Sequence, residues 1–181
     1  MNNDIFKTIS MNGRMAYSIL CVEQYLLSRY PQKDWSPLSE KMWAVTSMSW
    51  DEWAETFMEV IPQYLFEFGC YEESDFEFLN KSEYDLFRAL YDGVSDGKYE
   101  DATDSVNRLL LGLYQMEEVY SYSSIPGYGQ ESIELIKATQ DILMVDDVSL
   151  PDVDEVSFSS FEEREGWGNP FDGVKLSRIL K

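Results

Sequence analysis

Apolar residues recur three and four apart through most of this chain, the spacing of amphipathic helices, and that pattern predicts its elements. Over residues 13–30, Met15, Ile19, Val22, Leu26 and Tyr30 form a stripe widened by Ala16, Leu20 and Leu27, and Pro31 stops it. Ser36 and Pro37 read as the N-cap and first residue of a second helix through Leu38, Met42, Trp43 and Val45. Ser49 with Glu52 three residues later reads as a capping box that opens a third helix. Its Trp50, Trp53, Phe57, Ile61 and Tyr64 fall on one side and Asp51, Glu52, Glu55 and Glu59 on the other, and Pro62 ends or kinks it near Ile61. Ser82 and Asp85 cap a fourth, with Leu86, Phe87, Leu90, Tyr91 and Val94, ended by Gly93 or Gly97.

Residues 99–120 make the longest and most apolar stretch, with Ala102, Val106, Leu109, Leu113, Met116 and Tyr120 as its stripe, and this is the expected central helix. A last helix covers about 131–144, after a loop rich in Gly, Pro and Ser. Phe76 and Phe78 alternate with acids as in a short strand, but nothing elsewhere offers a pairing partner, so 69–80 reads as loop or short helix. From 145 onward, acids, Pro151, β-branched residues, Phe158 and Phe161 predict an extended segment that wraps the body, anchored by Trp167 and Phe171. The prediction is all-α: a single domain, 1–181, with a body of about six helices over 13–144 and an irregular C-terminal arm over 145–181.

Charge changes this picture most. Fourteen basic residues face thirty-four acidic ones, a net charge of −20, with no histidine. Nucleic acid and anionic membrane are poor partners for such a chain, because both are held by Lys and Arg. Spread over the surface of about 9,000 Å² expected at this mass, the charge is far thinner than that of a duplex, so any mimicry of nucleic acid needs the acids concentrated. They are. Residues 42–80 hold nine acids and no base: Asp51, Glu52, Glu55, Glu59, Glu67, Glu72, Glu73, Asp75 and Glu77. Residues 138–163 hold eight more, Asp146 and Asp147 among them, again without a base. Asp51, Glu55 and Glu59, four apart on one outward face, repel one another, which stability alone would not choose.

The absence of histidine removes Ser-His-Asp and Cys-His arrangements, HExxH zinc sites and Glu-x-x-His di-iron bundles. No phosphate-binding glycine motif occurs, and Gly127-Tyr128-Gly129 reads as a turn. Asp146, Asp147, Asp152 and Asp154 do not have the spacing of a calcium loop. Paired carboxylates could run glycoside hydrolysis, but no pair stands out among so many. No catalytic residue, metal or cofactor is therefore expected. Cys21 and Cys70 read as buried free thiols, and the N-terminus lacks the apolar core of a signal peptide, which predicts a cytoplasmic protein.

Trp50-x-x-Trp53, then Ile61-Pro62 with an aromatic-acidic run, then Phe76-x-Phe78-Leu79 leading into Ser82-x-Tyr84, resembles a family of small, acidic, mostly helical immunity proteins of bacterial polymorphic toxin systems. The resemblance covers about residues 15–91. It implies a non-enzymatic protein, encoded beside a toxin that often carries a nuclease domain, which binds that toxin in the producing cell's cytoplasm. The family brings no catalytic residues. Nor does it bring a binding motif; the base-free stretches themselves place the expected contact for a basic toxin on Asp51, Glu52, Glu55, Glu59, Glu72, Glu73, Asp75, Glu77, Asp146 and Asp147, with Asp51, Glu55 and Glu59 at or near its centre. The rival expectation is an acidic helical scaffold or regulatory subunit that self-associates through an aromatic surface containing Trp50 and Trp53.

Overall fold

Ser10 opens the first helix: its hydroxyl accepts the Gly13 amide at 3.1 Å, and α1 runs Met11–Arg29 until Pro31 forbids another turn. The computed structural model describes residues 3–98, 101, 103–120 and 124–181. Fourteen of the nineteen α1 residues are buried, and the helix packs on α2 (Ser36–Trp43), α6 (Ser105–Glu118), α7 (Gln130–Val145) and the 3₁₀ turn Val153–Val156. The centre of the molecule is thus α1, not the 99–120 stretch. The Asp104 carboxylate takes the Asn107 amide at 2.9 Å and starts α6 only at Ser105. Of the residues expected in its first turns, Tyr99, Glu100 and Ala102 lie outside the described residues.

Ser49 and Glu52 behave as their spacing predicts. The Glu52 carboxylate accepts the Ser49 hydroxyl at 2.8 Å and the Ser49 amide at 3.4 Å, and α3 spans Trp50–Met58. The helix stops at Met58, earlier than expected. Ile61 takes the extended conformation that a following proline imposes (φ −72°, ψ 132°), and Pro62 opens the one-turn α4, Pro62–Leu65, instead of kinking α3. The cap of α5 (Lys81–Tyr91) also differs: Asn80 and Glu83 form the capping box in place of Ser82 and Asp85. Leu79 just before the cap and Tyr84 in the first turn are both buried, the positions of a hydrophobic staple.

Among the described residues there are seven α-helices and no strand; Ile9 and Ser160 form an isolated antiparallel bridge, so the chain is all-α. The expected arm exists as 3₁₀ turns laid along α1. Ser10 donates its amide to the Ser159 carbonyl (2.9 Å) and Asn12 to that of Trp167 (3.1 Å). At Gly168, φ is +82° and a Cβ would collide with Ser10, so only glycine lets the arm approach so closely.

Two buried charges fasten this arrangement, and neither has an opposite charge as a hydrogen-bond partner. Arg14, wholly buried, donates to the carbonyls of Phe6 (3.0 and 2.6 Å) and Gly129 (3.0 Å) and to the Ser132 hydroxyl (2.8 Å). Burial lowers its pKa to about 10, so it keeps its proton at neutral pH. Glu23, equally buried, accepts from the Ser39 hydroxyl, Trp43 Nε1 (2.8 Å), the Ser177 hydroxyl (2.6 Å) and the Arg178 amide (2.6 Å). One carboxylate thereby joins α1, α2 and the end of the arm, and four donors offset its desolvation.

Candidate functional site: an acid-rimmed aromatic pocket

The segment after α4 runs through the 3₁₀ turn Tyr71–Glu73 and folds back over the end of α3. Glu59 makes that possible. Its side chain, expected on the outward face, is 6% exposed, because Oε1 accepts the Glu77 amide at 2.7 Å and Oε2 accepts those of Phe78 (3.0 Å) and Leu79 (2.7 Å). Three consecutive amides that no helix or strand satisfies find their acceptor in one carboxylate. Glu59 is thus a structural clamp, and its expected place in a partner contact is withdrawn.

The clamp leaves a cavity of about 340 Å³ between α3 and the returning segment. Met58, Tyr64, Phe68, Phe76 and Phe78 give it an apolar, largely aromatic lining, and Glu55, Glu67, Asp75 and Glu77 are exposed around it. Among the described residues no Lys or Arg lines it. None of these four carboxylates makes a salt bridge or side-chain hydrogen bond among the described residues. The rings are held in place: Phe68 meets Phe76 edge-on at 5.7 Å, Phe76 lies 5.9 Å from Tyr84, and Tyr64 meets Tyr114 at 6.2 Å. The same aromatic cluster already holds two cations from α5. The Arg88 guanidinium sits 4.8 Å from the Phe66 ring centre and 5.3 Å from that of Tyr84, and Lys81 Nζ lies 5.8 Å from that of Tyr71.

Of the ten acids expected at a partner contact, Glu55, Asp75 and Glu77 come together here, with Glu59 beneath them. The others do not line the pocket. Glu52 is engaged in its capping box, and Asp51 has its pKa lowered by the Ser49 hydroxyl and then by helix N-terminal amides. Glu72 pairs with Lys81 at 2.9 Å, and Glu73 is exposed on the 3₁₀ turn. Asp146 accepts the Tyr25 hydroxyl at 2.6 Å and the Ser105 hydroxyl at 2.9 Å, so it joins α1, α6 and the end of α7; Asp147 is exposed with a left-handed backbone (φ 53°). Glu67 and the rings of Phe68, Phe76 and Phe78 were not expected at a site. Their signal was the alternation of acids with aromatics over 67–68 and 75–78.

Tryptophan also divides. Trp53 is wholly buried and donates to the Lys41 carbonyl at 2.8 Å, while Trp50 is half-buried, donates to Asn12 and meets Trp167 edge-on at 5.1 Å. Cys21 is buried, which pushes its thiol pKa up, but Cys70 is only half-buried, contrary to expectation. Among the described residues no group of three acids or cysteines is arranged to hold a metal ion, and no helix is long and apolar enough to cross a membrane. Comparison with protein-family models, curated proteins and solved structures gives no match.

Proposed function

We propose that this chain is a non-enzymatic immunity protein that captures a basic protein toxin, a nuclease being the leading case, in the cytoplasm of the cell that makes both. The observation that carries the proposal is the pocket: four unpaired carboxylates around an aromatic cavity, within a 39-residue stretch that has no base. A nuclease must present a positive surface to attract its polyanionic substrate, so a negative surface on an inhibitor uses the same field for fast encounter. The cavity supplies what a charged surface alone lacks, an apolar centre that excludes water from the contact.

The test is the rate of association with the basic toxin domain encoded beside the gene. The rate should fall at least about tenfold between low and physiological salt, where screening sets in over roughly 8–10 Å. A rate indifferent to salt would remove the electrostatic part of the proposal.

A second reading, self-association, has a specific observation in its favour. A cleft of about 630 Å³ is lined by Trp43, Pro170, Phe171, Val174 and Leu180, and the exposed Phe158 meets Phe171 edge-on at 5.1 Å beside it. This is not the surface expected from the sequence, since Trp53 is enclosed in the core. Sedimentation separates the two readings: a tight homodimer that Phe158→Ser dissolves supports self-association.

A further inference from the structure

We infer that the pocket between α3 and residues 67–78 is a socket for one arginine side chain of the partner. The inference rests on the proposed capture of a basic protein and names the group that enters the site.

Size limits the occupant first. At about 340 Å³ the cavity lies at the small end of ligand-sized pockets, which run from about 300 to 1,000 Å³, so a long side chain fits within it and a whole helix does not. Its chemistry then selects among long side chains. An apolar side chain would fill the aromatic interior but leave Glu55, Glu67, Asp75 and Glu77 facing one another around an uncharged group. A carboxylate would add a like charge to theirs. A cation satisfies both parts, because its stem packs on Met58 and the rings while its head meets the carboxylates.

Between the two cationic side chains the aromatic lining favours arginine. Guanidinium is planar, stacks on ring faces, sheds water more readily than ammonium and offers five donors to several carboxylates at once. The protein uses this chemistry itself a short way along the same cluster, where the Arg88 guanidinium lies within 5.3 Å of two ring centres. Neither Arg88 nor Lys81 lines the cavity, so no Lys or Arg among the described residues already occupies it. The wall is also fixed in advance. Glu59 holds the amides of Glu77, Phe78 and Leu79, so a guest meets a formed site and little ordering cost is left to binding.

The full chain titrated with N-acetyl-arginine amide, N-acetyl-lysine amide and N-acetyl-citrulline amide, followed by amide resonances, tests this. The arginine probe should saturate in the millimolar range and move the amides of Glu77, Phe78 and Leu79. The lysine probe should bind more weakly, and the citrulline probe, alike in shape but uncharged, at least about tenfold more weakly. The double variant Glu55→Gln/Asp75→Asn removes two unpaired surface carboxylates and no structural contact, and should weaken the arginine probe about tenfold with the far-ultraviolet dichroism unchanged. Equal binding of citrulline and arginine overturns the inference, as do shifts spread evenly over the second acidic stretch, 138–163. Salt-dependent capture of the toxin without a response to the arginine probe leaves the proposed function standing and removes the socket. A saturating arginine response without toxin capture does the reverse.

Discussion

The two base-free stretches, 42–80 and 138–163, are both acidic, but ten aromatic residues stand in the first and only Phe158 and Phe161 in the second, and their acids are used differently. In the first, one buried carboxylate builds a wall and four exposed ones surround the cavity behind it. In the second, half of the eight acids go into fastening the chain, and Asp141, Asp147, Asp154 and Glu162 stay exposed. Asp146 joins α1 to α6; Asp152 and Glu155 cap a 3₁₀ turn; Glu155 also pairs with Arg178 at 2.7 Å; Glu163 accepts the Asn169 amide at 3.3 Å. A stretch without bases is therefore not by itself a free surface. What distinguishes the two sets of acids is whether donors reach them: amides, hydroxyls and the Arg178 guanidinium reach Asp146, Asp152, Glu155 and Glu163, and nothing among the described residues reaches the side chains of Glu55, Glu67, Asp75 or Glu77.

The sharpest break in this comparison lies inside the first stretch. Glu59→Ala strands the buried Leu79 amide and the partly buried amides of Glu77 and Phe78 and should cost about 2–3 kcal/mol, whereas Glu55→Ala, one helical turn earlier and exposed, should stay within about 0.5 kcal/mol of the parent. Urea unfolding of both variants measures the difference, and equal midpoints would mean that the clamp contributes nothing.

Charge reversal compares the stretches directly. Lysine at Glu55, Asp75 and Glu77 should slow association with a basic partner at least about tenfold, and lysine at the exposed Asp141, Asp154 and Glu162 by less than about threefold, as a general field effect. Similar losses from the two sets, read by stopped flow, would dissolve the distinction.

A smaller effect belongs to Asp146. The Tyr25 hydroxyl, then desolvation opposed by the Ser105 hydroxyl, leave its pKa below the usual carboxylate value. A depressed carboxylate stabilises the fold above its unfolded-state pKa of about 3.9, and that contribution fades as pH falls through the lower folded value. Asp146→Asn should therefore cost about 1 kcal/mol at pH 7, the low end for a bond to a charged group because solvent reaches the site, and almost nothing near pH 2. A penalty unchanged across that range would refute the assignment.

Helices whose stripe and cap lie within a few residues were legible in the sequence: α1 from its apolar spacing, α3 from Ser49 and Glu52, α7 from Ile133, Ile136 and Leu143. Ser82–Asp85 reads as the cap of α5, yet Asn80–Glu83 offers the same pairing two residues earlier and is the one used. Leu79 decides between them, buried at the staple position with its amide tied to Glu59. Three of the pocket's four rim acids were expected at a contact, Glu55, Asp75 and Glu77. Glu59 could not be read, because a helical wheel places it beside Glu55 and its burial comes from a segment about twenty residues away. The long-range fastenings, Arg14 with Gly129 and Glu23 with Ser177, leave no local pattern at all.

Glu23 has a consequence for the order of folding. Its donors on the arm stand 154 and 155 residues along the chain, whereas Ser39 and Trp43 stand only 16 and 20 away. Local closure is entropically cheaper than closure of nearly the whole chain, so α1 and α2 meet around a carboxylate that is still half-solvated, and the arm seals it last. Contacts made after the transition state govern how fast the native state is lost and leave the folding rate alone. Ser177→Ala should accordingly steepen the loss of native protein in a denaturant jump and leave refolding unchanged, so that Ser177 and Arg178 set the lifetime of the folded protein.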